Sequence, residues 1–353
     1  MSILHTACIL PFFTSLLFSL IITVESKSEE PAPQGWDEKM QTVRYPSPMD
    51  NSLQPAIVYI PENKNPVPLL VTLHTWSGDY RQPAQSRAAW CIENNWALIA
   101  PDFRGPNTTP QGCGSELVVA DIVAAVEYMK TRTNIDTDRI YLMGSSGGGY
   151  GSLLMVGRHP EIWAGVSAWC GITDLEDWYY ETLSMKLHYA DDIEKSCGGK
   201  PDESAEVDKQ YRLRSANTEI HNAGRVPLDI NHGIHDGHLG SVPVSHSIKA
   251  FNLLAVPDKR ISDEEMQYFC EERKVPEKLK TEVETDPLFG TMAVLFRRIS
   301  GNTRLTIFDG GHSSAEQAGL HWLALQRKGK DAGWSIAVPN SKQDNSEASE
   351  VEK

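Results

Sequence analysis

Residues 139–157 read RIYLMGSSGGGYGSLLMVG. The apolar run Ile140–Met143 predicts a short buried strand, and Gly144 to Gly148 fits the G-x-S-x-G pattern with Ser146 at its centre. Tyr150 to Val156 then predicts the start of a helix. A strand, a glycine-rich turn and a helix form the setting in which a serine is forced into a strained backbone with its Oγ clear of the sheet edge. The flanking glycines carry no side chains to collide with neighbouring strand and helix. The Gly147 N–H would fall at a helix N-terminus, where unpaired donors and the helix dipole favour negative charge on a substrate oxygen. The alternative is a tightly packed helix-entry turn with no chemistry.

Outward from this stretch, continuous apolar runs at Leu69–Leu73, Trp96–Ala100 and Gly165–Trp169 alternate with helical patterns at Pro83–Asn94 and Leu117–Lys130. Strands without polar alternation, separated by helices, predict a parallel sheet covered on both faces. Thr42–Tyr45 and Leu53–Ile60 read as edge strands. Residues 173–225 interrupt the series as a polar helical insertion over the strand ends. The sheet resumes at Val226–Asn231, followed by a helix at Val244–Ala255 and a charged helical stretch at Ser262–Lys280. A strand pair, Val294–Arg298 and Arg304–Phe308, and a helix at Ala315–Gln326 close the pattern. The expected class is α/β: a mostly parallel, eight-stranded sheet with helices on both faces and a helical insertion after the sixth strand.

A serine hydroxyl attacks only when a base takes its proton, and that base needs an acidic group to orient it. Two glycine-bearing loops supply both. After Val226–Asn231 comes the string His232 to His238, HGIHDGH, and after Arg304–Phe308 comes Asp309-Gly310-Gly311-His312. His312 is the candidate base, with helix capping near Ala315 as the alternative. Asp236 is the candidate acid, ahead of Asp229 inside a strand and of Asp309. The cluster His232, His235, Asp236 and His238 is an alternative metal site, disfavoured by its crowded spacing; no metal and no cofactor is called for. Trp76, in the loop after the strand ending at His74, is the candidate second oxyanion donor beside Gly147. Trp76, Trp169 and Trp178 are candidate substrate-binding aromatics, with Tyr179 and Tyr180 near them, each having plain packing as its alternative. Arg297 and Arg298 are candidates for a carboxylate, against a solvated strand face.

The chain has 353 residues, 40% hydrophobic and 23% charged, an ordinary globular composition with room for one large domain. A net charge of −14 argues against nucleic acid as a partner. Ile9 to Val24 is almost wholly apolar and ends in the small-residue site Val24-Glu25-Ser26, which predicts a signal peptide or N-terminal anchor over residues 1–26. Export to the medium or periplasm is expected, with a membrane-anchored extracytoplasmic chain as the alternative and membrane contact only through a retained anchor. The expected layout continues with a linker at 27–40, a catalytic domain at 41–330 and a disordered acidic tail at 331–353. Outside the presumed signal, Cys91, Cys113, Cys170, Cys197 and Cys270 would give two bridges and one spare thiol in an oxidising compartment.

The string Gly144 to Tyr150, GSSGGGY, resembles the G-x-S-x-G-G-Y elbow of the prolyl oligopeptidase family, within the α/β-hydrolase fold. Asp102-Phe103-Arg104-Gly105 is similar to that family's D-x-R-G turn. Tyr189, then Gly198-Gly199-Lys200-Pro201 and Tyr211 to Ser215 are similar to its Y…GG-x-P…Y…RS segment. His232-Gly233 to Asp236 with Val242-Pro243, and Asp309 to His312, resemble its aspartate and histidine loops. The likeness runs from about Leu69 to Arg327 and implies Ser146, Asp236 and His312 as a triad. Departures are Thr75 in place of the usual glycine and a lengthened loop between Asp236 and Val242. The expected substrate is a small-molecule ester or short peptide. An ester of a carbohydrate or aromatic acid leads, and a small serine peptidase or an inactive hydrolase-fold binding protein are the alternatives.

Overall fold

The computed structural model describes residues 30–280 and 285–335. Its sheet contains β1 (Glu30–Pro31), β2 (Gln41–Pro46), β3 (Leu53–Tyr59), β4 (Val67–Leu73), β5 (Ala97–Pro101), β6 (Ile135–Ser145), β7 (Gly165–Trp169), β8 (Leu228–Gly233), β9 (Val294–Ser300) and β10 (Thr303–Phe308). Their spatial order is β1-β2-β3-β5-β4-β6-β7-β8-β10-β9. Neighbours from β5 through β10 run parallel, whereas β1, β2, β3 and β9 pair antiparallel. The expected eight-stranded, mostly parallel sheet is thus corrected to ten strands among the described residues, with a parallel centre and antiparallel margins. β1 is only two residues long and has no periodicity to read.

Burial follows the sheet's position. All residues of β4, β5, β7, β8 and β10 are buried, as strands covered on both faces must be, while β2 alternates, with Val43 and Tyr45 inward and Arg44 and Pro46 outward. The helices are α1 (Gln85–Asn94), α2 (Glu116–Arg132), α3 (Gly147–Arg158), α4 (Leu175–Ser184), α5 (Tyr189–Cys197), α6 (Ala205–Arg214), α7 (Ser245–Leu254), α8 (Asp263–Glu272) and α9 (Glu316–Leu325). Two apolar cores sit on opposite faces of the sheet. One packs Ile122, Val126 and Met129 of α2, Leu153 of α3 and Phe251 of α7 against Val71, Leu142 and Ile230. The other packs Ala88 and Cys91 of α1 and Trp322 of α9 against Leu70, Leu98 and Tyr141. α2 begins at Ser115, whose Oγ accepts from Val118 N at 3.3 Å, and carries Lys130 and Arg132 in its last turn, where the helix dipole favours cations.

α4, α5 and α6 form the insertion after β7 and enclose a third apolar cluster, with Trp76, Tyr150 and Trp178 at its base. Arg214 ties α6 to the loop before α2 by donating to the carbonyls of Pro110, Gly112 and Cys113 at 2.9–3.1 Å. The insertion therefore roofs the carboxyl ends of the strands.

Both expected outer segments partly belong to the body. In the expected linker, β1 pairs with β2, and Ala32 and Trp36 pack on the second core. In the expected tail, Ala332 N donates to Asn302 Oδ1 at 3.0 Å, and Trp334 stacks on Trp322 with ring centroids 5.6 Å apart. Trp334 also covers Arg304, whose guanidinium pairs with buried Asp229 at 2.7 Å. The rest of the tail and the apolar N-terminal segment lie outside the described residues. Among the described residues no helix is long and apolar enough to cross a membrane. The five described cysteines are free thiols, correcting the two expected bridges. Cys91 lies in the second core, Cys170 behind Asp236 and Cys270 on α8, while Cys113 and Cys197 share the apolar cluster that the insertion encloses.

Candidate active site

β6 runs into the turn before α3, and at that junction Ser146 adopts φ 59° and ψ −121°. Such backbone costs on the order of 1–3 kcal/mol and persists only where its surroundings hold it. Two hydrogen bonds do so: Ser146 N donates to Trp169 O on β7 at 2.8 Å, and Tyr150 N donates to Ser146 O at 2.8 Å. A Cβ on Gly144 would stand 2.1 Å from Gly148 O, so the turn closes only over a glycine. A Cβ on Gly147 would stand 2.3 Å from Trp76 N, which places these two backbone segments side by side. Among the described residues neither the Gly147 nor the Trp76 N–H has a protein acceptor. Gly147→Ala should push the Trp76 loop away and lower kcat on p-nitrophenyl acetate by roughly 10²–10³-fold, the usual cost of one oxyanion donor. Unchanged kcat would mean that this close approach has no part in catalysis.

β8 and β10 are parallel neighbours, with His232 opposite Ile307 and Gly233 opposite Phe308. Their loops continue the pairing: Ile234 N donates to Phe308 O and His235 N to Gly310 O, both at 2.9 Å. This brings Asp236 and His312, 76 residues apart in sequence, to a 2.6 Å contact between Asp236 Oδ2 and His312 Nδ1. Asp236 Oδ1 accepts from Gly237 N at 2.9 Å and Val242 N at 3.2 Å. Burial would by itself raise this carboxyl's pKa, but hydrogen bonds and charge from His232 and His312 outweigh it and hold it well below the usual carboxylate range. The carboxylate is thus an acceptor only, and His312 Nδ1–H donates to it. The lengthened loop lies over this pair: a Cβ on Gly240 would be 2.2 Å from Asp236 Oδ1 and 2.6 Å from His312 Cβ.

The other members of the histidine-rich loop diverge. His232 Nε2 faces Val242 O at 2.9 Å and Asp236 Oδ2 at 3.3 Å, both acceptors, so that nitrogen carries the proton and Nδ1 accepts from Ser247 Oγ at 2.7 Å. His235 pairs with Asp309 at 2.9 Å, and His238 meets Cys270 O at 2.7 Å. Asp309 and Asp229 are therefore committed elsewhere. Cys170, His232 and Asp236 do cluster, with ligand-type atoms within 4.8 Å of one another. The thiol's pKa is raised, first by burial and then by the Asp236 charge, so Cys170 serves as a neutral wall. Ser146, His312, Trp76, Cys170 and Tyr189 line one cavity of about 290 Å³.

Residues 115–274, from the start of α2 into α8, match the model of the prolyl oligopeptidase family. That match takes in just under half of the chain, which over this stretch is similar to prolyl oligopeptidase-like serine hydrolases. The chain is 27% identical over 128 residues to feruloyl esterase B of Thermothelomyces thermophilus, covering 33% of this chain and 43% of that protein. Its fold is similar to an acylaminoacyl peptidase in complex with Z-Gly-Gly-Phe-chloromethyl ketone, at TM-score 0.57 and 15% identity over 84% of this chain and 43% of the other. Oligopeptidase B from Leishmania major gives TM-score 0.52 and 12% identity over 81% of the chain and 35% of the other. The chain thus spans less than half the length of each of these proteins, and at such identities the two structures speak for the α/β-hydrolase fold alone.

Two expected substrate-binding aromatics lie elsewhere in the protein. Trp169 points from β7 into the second core, with Nε1 donating to Ser167 Oγ at 2.9 Å and its ring 5.6 Å from Phe289. Trp178 is buried behind Trp76, its ring centroid 4.7 Å away, and donates to Ser241 O at 2.8 Å. Trp76 alone of the three lines the cavity, backed by its Nε1 contact to Asp192 at 3.3 Å. On α4, Tyr179 is buried within the insertion and Tyr180 is exposed. Arg297 binds Asp286 at 3.0 Å and Arg298 meets backbone carbonyls of Lys259 and Arg260, so neither serves the cavity.

Residues that the sequence did not single out brace the elbow. Arg87 of α1 forks onto Glu316 of α9 at 2.6 and 2.8 Å. It also donates to Thr72 Oγ1 at 2.7 Å and to Ser145 Oγ at 3.1 Å. Ser314 Oγ, two residues past His312, donates to Glu316 at 2.7 Å. Burial pushes the Glu316 pKa up, but the Arg87 charge and hydrogen bonds prevail and lower it, so the pair stays ionised. One ion pair thereby links the residue before Ser146 to the loop of His312.

Proposed function

We propose that this protein is a serine hydrolase that cleaves carboxylic esters, of a carbohydrate or an aromatic acid, through an acyl-enzyme formed on Ser146. Ser146 Oγ attacks the acyl carbonyl while His312 Nε2 takes its proton, and Asp236 holds the Nδ1–H tautomer. The Gly147 and Trp76 N–H groups receive the oxyanion. His312 returns the proton to the departing alcohol, and water activated by the same imidazole clears the acyl group. The carrying observation is the 2.6 Å Asp236–His312 hydrogen bond at the edge of the cavity that Ser146 also lines. Ester rather than peptide substrates are supported by the likeness to a feruloyl esterase. The resemblance of the fold to peptidases favours, as the second reading, a small serine peptidase. Export is part of the proposal and rests on the apolar segment Ile9–Val24. Purified protein should turn over methyl ferulate or acetylated sugars well above aminoacyl-naphthylamides; faster cleavage of the amides would replace the esterase with the peptidase.

A further inference from the structure

A second cavity, of about 340 Å³, adjoins the one that holds Ser146, and Thr75, Ser145 and Ser314 line both. It opens between the oxyanion loop and the loop that carries His312. The alcohol leaves with the proton of His312, so the space beside Ser314 is on the leaving-group side. A volume near the low end of small-molecule sites, roughly 300–1,000 Å³, suits about one or two small rings.

The walls specify the chemistry. Trp36 and Tyr80 supply aromatic faces. Each charged side chain among the described lining residues is already neutralised: Glu316 by the forked Arg87 and Asp79 by Arg81. A peptide terminus or an acidic ligand needs an unpaired opposite charge, and these residues keep none in reserve. Gln82 Oε1 accepts from Thr75 N and Oγ1, both at 3.0 Å, which leaves its amide hydrogens for a ligand. Aromatic faces for C–H surface, an amide donor and self-compensated ion pairs together match an uncharged polyhydroxyl ring.

We propose that this cavity is a subsite for a neutral saccharide, the alcohol portion of the ester; its catalytic meaning rests on the esterase reading above, but the binding itself does not. Xylobiose should compete with p-nitrophenyl acetate, and sodium glucuronate should do so at least about tenfold more weakly, because its carboxylate finds no free cation. Trp36→Ala should raise the xylobiose inhibition constant at least about fivefold, and Trp36→Phe, which keeps an aromatic face, should return it to within about twofold of the parent. Absence of competition in the parent, equal competition by glucuronate, or an inhibition constant indifferent to Trp36→Ala would each overturn the proposal. Calorimetric titration of the Ser146→Ala protein with xylobiose separates the two readings. Binding that Trp36→Ala weakens in that background supports the subsite even if Ser146 proves not to be the nucleophile, and its absence there overturns the subsite while leaving ester hydrolysis standing.

Discussion

Ser146→Ala should lower kcat on p-nitrophenyl acetate by roughly 10⁴- to 10⁶-fold and abolish labelling by a fluorophosphonate probe. The strained turn is set by the Trp169 and Tyr150 hydrogen bonds to the main chain of Ser146, not by its hydroxyl, so alanine fits without moving the elbow. The melting temperature should stay close to that of the parent, which makes the lost activity chemical rather than structural. The neighbouring Ser145 is the built-in control. Its Oγ is directed to Arg87, which keeps Thr72 and Glu316 as partners when that hydroxyl is removed. Ser145→Ala should therefore cost at most about a hundredfold, the scale of one unmade buried hydrogen bond. A Ser146→Ala protein within about tenfold of the parent would transfer the chemistry to another group and end the triad assignment.

What could be read in the sequence was whatever depends on short range. The elbow announces itself because the strand, the turn and the helix N-terminus are contiguous, and the Asp236 and His312 loops each follow an apolar run that could only be a buried strand. The fate of Trp169 was hidden because a strand buried on both sides has no polar alternation. Val166 and Ala168 face one core and Trp169 the other, and nothing local states which face lies nearer the site. The Arg87–Glu316 brace joins positions 229 apart, and a lone arginine in a helix carries no sign of its partner. The packing of Trp36 and Trp334 onto the body was equally silent, since two-residue strands and single stacked rings leave no period. Free thiols were unreadable for the same reason: pairing depends on distances that only the fold fixes.

Asp236→Asn should lower kcat by about 10⁴-fold, and it should do so through the proton positions rather than through the fold. In the parent, Oδ2 accepts from His312 Nδ1 and His232 Nε2 while Oδ1 accepts from two backbone N–H groups, so every neighbour of this carboxylate is a donor. An amide cannot satisfy four donors. With its –NH₂ toward the imidazoles it forces the His312 proton onto Nε2, where the base can no longer accept from Ser146. With its –NH₂ the other way it faces the Gly237 and Val242 N–H groups. Stability carries a second, independent readout. The folded-state pKa of Asp236 lies below the unfolded value of about 3.9, so its contribution is complete above about pH 4 and fades as pH falls through the folded-state value. Asparagine does not titrate, so the gap in melting temperature between parent and Asp236→Asn should be widest near neutral pH and shrink in acid. A gap that stays constant or widens on acidification would show that the carboxylate is not held ionised by its histidines, and the tautomer argument for catalysis would fall with it.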